Sequence, residues 1–471
     1  MSKPAATPIH PLVLMQVESR LSEEQKAIQN VVRDFAAKEL KPNIATWYED
    51  GQLPARDLAK ALGGIGVLGM HLKNYGCAGT DAMSYGLACL ELEAVDSGLR
   101  SLVSVQGSLA MFAIYKFGTE AQKQEWLPKM AKGEAIGCFG LTEADHGSNP
   151  SGMATFAKKD GSDWVINGSK MWITNGSVAD VAIIWAQTDE GIRGFCVPTK
   201  TAGLVINPIK HKLSLRASIT SELVFNDMRV PDSYRLPEAT SLRAPLLCLA
   251  EARYGIIFGT VGAARDCFEV SLAYATTREQ FDGPISKHQL TQAKFADMAT
   301  KITTSMLLAY HLADLKDADK IKPEQISMGK FHNVNAALEI ARSARSILGG
   351  AGITSEYSIF RHMSNLETVL TYEGTHEIHM LVLGQALTGI AAIAIFQFLW
   401  VWNDLLVALT FASGTEEVAP INSKLASLVG QYGSGYTQLS AGAFITIAVP
   451  LIVFFSLQRY FVRGLLAGSV K

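Results

Sequence analysis

Twice along its length this 471-residue chain changes the period of its apolar residues, to strand-like near residue 135 and back to helical near residue 242. The order helices, sheet, helices suits few architectures, so it narrows the fold more than any composition figure does. In the first part Ser22-Glu23-Glu24-Gln25 has the form of a capping box. Behind it Ile28, Val31, Val32 and Phe35 recur as one helical stripe. In the middle, Asp163 to Gly168 leads into Met171 to Gly176. Short β-rich runs follow at 181–185, 194–197, 204–206 and 223–225, with turn residues between them. Three long helical stretches come next. Pro323 opens the third, and Gly349-Gly350-Ala351-Gly352 stops it. The expectation is an α+β fold: an N-terminal helical domain (1–134), a middle β domain (135–240) and a C-terminal helical domain (241–390), followed by a two-span hydrophobic helical tail (391–471).

Charge marks the last boundary. Lys and Arg number 42 against 44 Asp and Glu, a net charge of -2 that argues against a nucleic-acid partner. Only Asp404, Glu416, Glu417, Lys424, Arg459, Arg463 and Lys471 fall beyond residue 387, and the other 79 charged residues precede it. Two apolar runs occupy the charge-poor tail, 388–411 and 441–457. The six cysteines are scattered without a C-x-x-C pair, as expected of reduced thiols in a cytosolic body. The apolar run Leu12 to Met15 is too short for a cleaved signal peptide.

Three segments carry chemistry. Thr371-Tyr372-Glu373-Gly374-Thr375-His376 holds a glutamate between an aromatic and a glycine just ahead of a helix, which suits a carboxylate base in a closed pocket. The competing explanation is an acid placed for the helix dipole. The glycines and small hydroxyls of Gly140 to Asn149 let backbone approach a flat ring or a phosphate. Lys170 to Gly176 is the third segment. Two other patterns carry nothing. Gly64-Ile65-Gly66-Val67-Leu68-Gly69 matches G-x-G-x-x-G but follows a helical stretch, whereas a dinucleotide fingerprint needs a strand first. His376 and His379 have no evident third ligand, so no metal site is expected.

With these segments in this order, residues 21–390 resemble the acyl-CoA dehydrogenase family and, among its members, the glutaryl-CoA dehydrogenases. The resemblance is carried also by Asp96-Ser97-Gly98-Leu99-Arg100-Ser101, Leu215-Arg216-Ala217-Ser218 and Ala252-Arg253-Tyr254-Gly255-Ile256. It implies FAD as cofactor and Glu373 as the base that takes the α-proton of a thioester while a hydride leaves the β-carbon for flavin N5. It implies substrate contacts from Glu93, Arg100, Ser101, Ser148, Arg253, Tyr372 and Gly374, with Arg100 meeting the distal carboxylate of glutaryl-CoA. It implies flavin contacts from Phe139, Leu141, Thr142, Ser148, Trp172, Ile173 and Thr174, and diphosphate contacts at the helix start formed by Thr375, His376 and Glu377. Arg278, Gln289 and the run Ser346, Ile347, Leu348, Gly349 and Gly350 match positions that reach a flavin across a subunit contact, as in a homotetramer. Electron-transfer flavoprotein is the implied electron acceptor. Asn149, Ala250-Glu251 and Ala351 depart from the family pattern, and the second departure bears on the coenzyme A contacts.

The tail resembles the C-terminal end of a sugar ABC transporter permease, through Trp400-Val401-Trp402-Asn403-Asp404 and Gln458 to Leu465. That implies a cytoplasmic catalytic body anchored to a membrane through residues 388–457, with both ends of a hairpin on the positive side. A natural fusion and a spurious join of two reading frames both stay open. So do two other functions: another short-chain acyl-CoA dehydrogenase, and a membrane transport component carrying a vestigial dehydrogenase part.

Overall fold

The computed structural model describes residues 10–386 and positions 448, 451, 452 and 455. The expected two-span tail and its permease-like runs lie otherwise outside the described residues. The chain opens with α1 (Glu23–Phe35), α2 (Ile44–Asp50), α3 (Ala55–Gly64), α4 (Ala82–Glu93), α5 (Ser97–Ser104), α6 (Phe112–Phe117) and α7 (Glu120–Ala131). Ser22 caps α1 through the reciprocal bonds with Gln25 that its sequence promised. The glycine-rich decoy begins on the last residue of α3, with no strand before it.

The sheet comprises β1 (Gly137–Gly140), β2 (Phe156–Asp160), β3 (Asp163–Thr174), β4 (Val181–Thr188), β5 (Gly191–Pro198), β6 (Leu204–Pro208) and β7 (Thr220–Pro231). Its order is β1-β4-β2-β3-β7-β6, with β5 paired to β4. The β1/β4 and β2/β4 pairings are parallel and the rest antiparallel. Strand β4 is buried on both faces: Val181, Ile183 and Trp185 join one apolar cluster, Ala182, Ile184 and Ala186 another. Register shifts in β3 fall between Ile166 and Gly168 and between Lys170 and Ile173. The second puts Trp172 at φ +65° and leaves its indole exposed.

Beyond the sheet run α8 (Arg243–Thr277), α9 (Gln289–Asp317), α10 (Pro323–Leu348), α11 (Ile359–Thr371) and α12 (His376–Ala386). Pro323 does open α10, and Gly349 at φ +59° stops it. Helix α8 is long and apolar enough to cross a membrane, but its apolar window is mostly buried inside the protein. It is the core helix, packed against α4 and α10. Every residue of α4 is buried, and its last is Glu93.

Candidate active site

Three residues separate the end of α4 from the start of α5, and that start is tightly fixed. Asp96 accepts from the amide of Gly98 at 2.7 Å, from Arg361 Nε at 3.0 Å and from Asn365 Nδ2 at 2.9 Å. That geometry carries Arg100 one turn into the core. Its guanidinium is wholly buried and donates from Nε to Glu93 Oε2 at 2.7 Å. Its Nη2 donates to the Tyr372 hydroxyl, which also lies 3.4 Å from Ser101 Oγ. Ser97 Oγ donates to the other Glu93 oxygen at 2.8 Å. Nη1 of Arg100 is buried and has no hydrogen-bond partner among the described residues. Gly259 of α8 makes room for the pair: a Cβ there would lie 2.0 Å from Glu93 Oε2 and 3.3 Å from Arg100 Nε.

Tyr372, Glu373 and Gly374 form the turn between α11 and α12. Glu373 has φ +53° and Gly374 φ +93°, a left-handed path that costs a non-glycine residue about 1 kcal/mol. A buried lysine and a half-buried arginine hold it there. Lys330 of α10, whose side chain is 1% exposed, donates to Tyr372 O at 2.5 Å and to Gly374 O at 2.6 Å. Arg253 Nε donates at 2.6 Å to the carbonyl between them, that of Glu373. Three successive carbonyls therefore each take a cationic donor.

The turn pins the backbone and leaves the carboxylate free. Oε2 of Glu373 is buried without a hydrogen-bond partner among the described residues. Burial raises its pKa above the ordinary carboxylate value, against the pull of Arg100, Lys330 and Arg253, while Glu93 adds to the rise. Burial also pushes Lys330 down to about 7, against the attraction of Glu373. Tyr372 is pushed up to about 12 by burial despite Arg100. His379, a turn into α12, is pushed down to about 3 by burial with Lys330 and Arg253 nearby, so its ring is neutral. A basic carboxylate flanked by cations suits abstraction of a weakly acidic proton.

The loops expected to meet a flavin are joined to one another. Met171 N donates to Thr142 O at 2.8 Å. Lys170 is buried, and its ammonium donates to Leu141 O at 3.0 Å and to Glu143 Oε1 at 2.8 Å. Glu143 also accepts from the amides of Ala154 and Thr155. Phe139, Leu141 and Ile173 are buried, Thr142 and Thr174 are half-buried, and Ser148 is exposed. Thr375 Oγ1 accepts from Ile378 N at 3.3 Å at the start of α12, where His376 stacks on Phe331 and Glu377 is exposed. Arg278, Gln289, Ser346, Gly349 and Gly350 are exposed on the single chain, whereas Ile347 and Leu348 belong to the core.

Thus Glu93, Arg100, Ser101, Arg253, Tyr372, Glu373 and Gly374 meet in one bonded cluster. Phe139 to Thr142 and Trp172 to Thr174 make a second group; Thr375 and His376 follow the first cluster half-buried, Ile347 and Leu348 lie in the core, and Ser148, Arg278, Gln289, Ser346, Gly349, Gly350 and Glu377 are exposed. Lys330 and Gly259 were not picked out from sequence, and Lys170 and Glu143, though within the segments singled out there, were given no site role. Lys330 is the one that could have been: it is a cation among Ile326, Gly329, Asn333 and Val334, on the buried face of α10.

Models of the N-terminal, middle and C-terminal domains of acyl-CoA dehydrogenase match residues 22–134, 138–228 and 242–388. The chain belongs to the acyl-CoA dehydrogenase family. It is an oxidoreductase with that family's three-domain fold of helical and β parts. The mitochondrial short-chain specific acyl-CoA dehydrogenase of Bos taurus is 36% identical over 369 residues, 77% of this chain and 89% of its own length. The crystal structure of glutaryl-CoA dehydrogenase from Mycobacterium smegmatis is 62% identical, covers 81% of this chain and 99% of that one, and superposes with a TM-score of 0.80. A second structure of the enzyme from that organism, in complex with FADH2, is 59% identical with the same coverage and TM-score. The family models end at residue 388, so the permease-like and membrane-anchor expectations for the tail gain no support from them.

Proposed function

We propose that this acyl-CoA dehydrogenase oxidises and decarboxylates glutaryl-CoA to crotonyl-CoA, passing its electrons to electron-transfer flavoprotein. The observation that carries the substrate assignment is Arg100, a fully buried guanidinium with one unpaired nitrogen in the cluster that contains the base. A buried donor left unmatched is expensive, and an incoming carboxylate would match it with a charge-assisted bond. A butyryl chain offers nothing to that nitrogen.

FAD is the cofactor, and when bound it supplies the hydride acceptor. The residues present fit it: the exposed Trp172 indole on the β3 bulge, the hydroxyls of Thr142 and Thr174 beside it, and the start of α12 at Thr375 for a diphosphate. Arg278, Gln289 and Ser346 to Gly350, exposed here, would reach the cofactor of a neighbouring subunit in a homotetramer. Within one subunit Glu373 takes the α-proton, and its unpaired Oε2 is the atom to hold it. Arg100 and Ser101 orient the distal carboxylate. Loss of carbon dioxide from the oxidised product leaves a carbanion, and the protonated Glu373 is the acid at hand to quench it.

Anaerobic mixing of the purified enzyme with glutaryl-CoA and with butyryl-CoA tests this, reading flavin bleaching and released carbon dioxide. Bleaching by glutaryl-CoA at least tenfold faster, with one carbon dioxide per turnover, is expected. Equal or faster bleaching by butyryl-CoA would return the enzyme to the general short-chain class, which the bovine relative also represents. Glu373→Gln should retain flavin and lose about 10²-fold or more of the rate.

A further inference from the structure

We propose that Lys330 is a positioning residue of the reaction: its ammonium grips the carbonyls on both sides of Glu373 and so aims the catalytic carboxylate at the substrate. The proposal rests on Glu373 being the base, and on nothing about which acyl chain is oxidised.

The geometry is specific. Lys330 sits about two turns into α10, and both of its hydrogen bonds among the described residues go to the turn, at 2.5 Å to Tyr372 O and 2.6 Å to Gly374 O. Arg253, from α8, takes the intervening Glu373 carbonyl. The two cations thus approach one tripeptide from two helices and fix a glutamate in the left-handed region. Glycine would adopt that path without help, but only a residue with a side chain can be a base there. A buried lysine whose bonds all go to the turn carrying the base is poorly explained by packing alone, because an apolar residue would fill the same space without a desolvated charge.

The clamp also sets the charge around the base. Arg100 of α5, Arg253 of α8 and Lys330 of α10 face Glu373 with positive charge, and Glu93 of α4 with negative. Tyr372 adjoins it in the turn, and the neutral His379 of α12 faces Gly374, where a Cβ would lie 3.0 Å from its Nε2. Lys330 therefore acts twice, on the direction of the carboxylate through the backbone and on its proton affinity through space.

The test uses the FAD-loaded enzyme on whichever of glutaryl-CoA and butyryl-CoA the wild type oxidises faster. Lys330→Met keeps the volume and removes donor and charge; Lys330→Arg keeps both donor and charge. For Lys330→Met with flavin bound, the flavin-reduction rate should fall roughly a hundredfold, as expected of a base displaced by about 1 Å. KM should change by less than about threefold. The acid limb of the kcat/KM profile should move up by about one pH unit, because a cation near the carboxylate is gone. Lys330→Arg should return the limb to its wild-type position and the rate to within about tenfold of wild type. An unmoved limb in Lys330→Met, or a flavin-bound Lys330→Arg as slow as Lys330→Met, overturns the proposal. If Lys330→Met cannot hold flavin, Lys330→Arg decides alone by the same two readouts. Glu373→Gln run beside them separates the two claims. Normal turnover there removes the base itself, whereas a dead Glu373→Gln beside a normal Lys330→Met removes only the role of Lys330.

Discussion

Arg100→Met should separate substrate recognition from everything else that the buried cluster does. The guanidinium is wholly buried, with one nitrogen on Glu93, one on Tyr372 and one unpaired. A hydrogen bond to a charged group contributes about 1.5–3 kcal/mol. Taking about 3 kcal/mol for a matched distal carboxylate gives a loss in kcat/KM on glutaryl-CoA of roughly 150-fold, at 1.36 kcal/mol per decade. Butyryl-CoA presents no carboxylate, so its kcat/KM should change by less than about tenfold. The substitution also strands Glu93, and breaking a buried ion pair destabilises by about 3–5 kcal/mol. Stability must therefore be controlled. The double variant Glu93→Gln/Arg100→Met removes both charges and should recover most of the lost thermal stability while keeping the specificity loss. The assay is steady-state kcat/KM on both thioesters in flavin-replete enzyme, with melting temperature measured in parallel. Equal loss on both substrates in the stable double variant would mean that Arg100 supports the fold and does not select the acyl chain.

Three further outcomes follow from the geometry. Gly259→Ala would put a methyl 2.0 Å from Glu93 Oε2, so the Glu93–Arg100 pair must separate. It should lower melting temperature by an amount consistent with about 1–3 kcal/mol of overpacking and hurt glutaryl-CoA turnover more than butyryl-CoA turnover. Lys170→Met strands Glu143 beneath the loop of Leu141 and Thr142; it should release flavin on gel filtration, and retention at the wild-type level would show that the pair does not shape that loop. Glu91 is opposed by burial, but Arg265 and Arg33 hold it down at about 2 against an ordinary 4.5, a difference of about 3 kcal/mol. Because the folded value is the lower one, this stability is fully present above about pH 4.5 and is lost as pH falls toward 2. Glu91→Gln should flatten that acid limb of a urea-melting series.

Local pattern carried a large part of this molecule. The capping box at Ser22, the proline that opens α10 and the glycine that stops it act within one or two turns, so neighbours in the chain suffice to specify them. The alternation of β4 and the order helices, sheet, helices follow from side-chain period alone. Family-specific segments placed Glu373, Arg100 and Tyr372 in one candidate cluster, and the three come together there.

Other features depend on residues far apart in the chain. The bulge that exposes Trp172 arises from pairing with β7, about fifty residues onward. The π-helical turns at Ala36–Leu40 and Val105–Met111 have no local mark in the sequence that we can identify. Lys330 looks like any lysine of a long helix until α10 lies against the turn at 372–374, and Gly259 looks like a weak point in α8 until Glu93 and Arg100 fill the space beside it. Spacing along a helix reports which face a residue occupies, whereas burial of a charge and choice of its partner are set by whichever element packs on that face. In this chain that is why the base can be found in one hexapeptide, while the cations around it come from α5, α8 and α10 and are assembled only by folding.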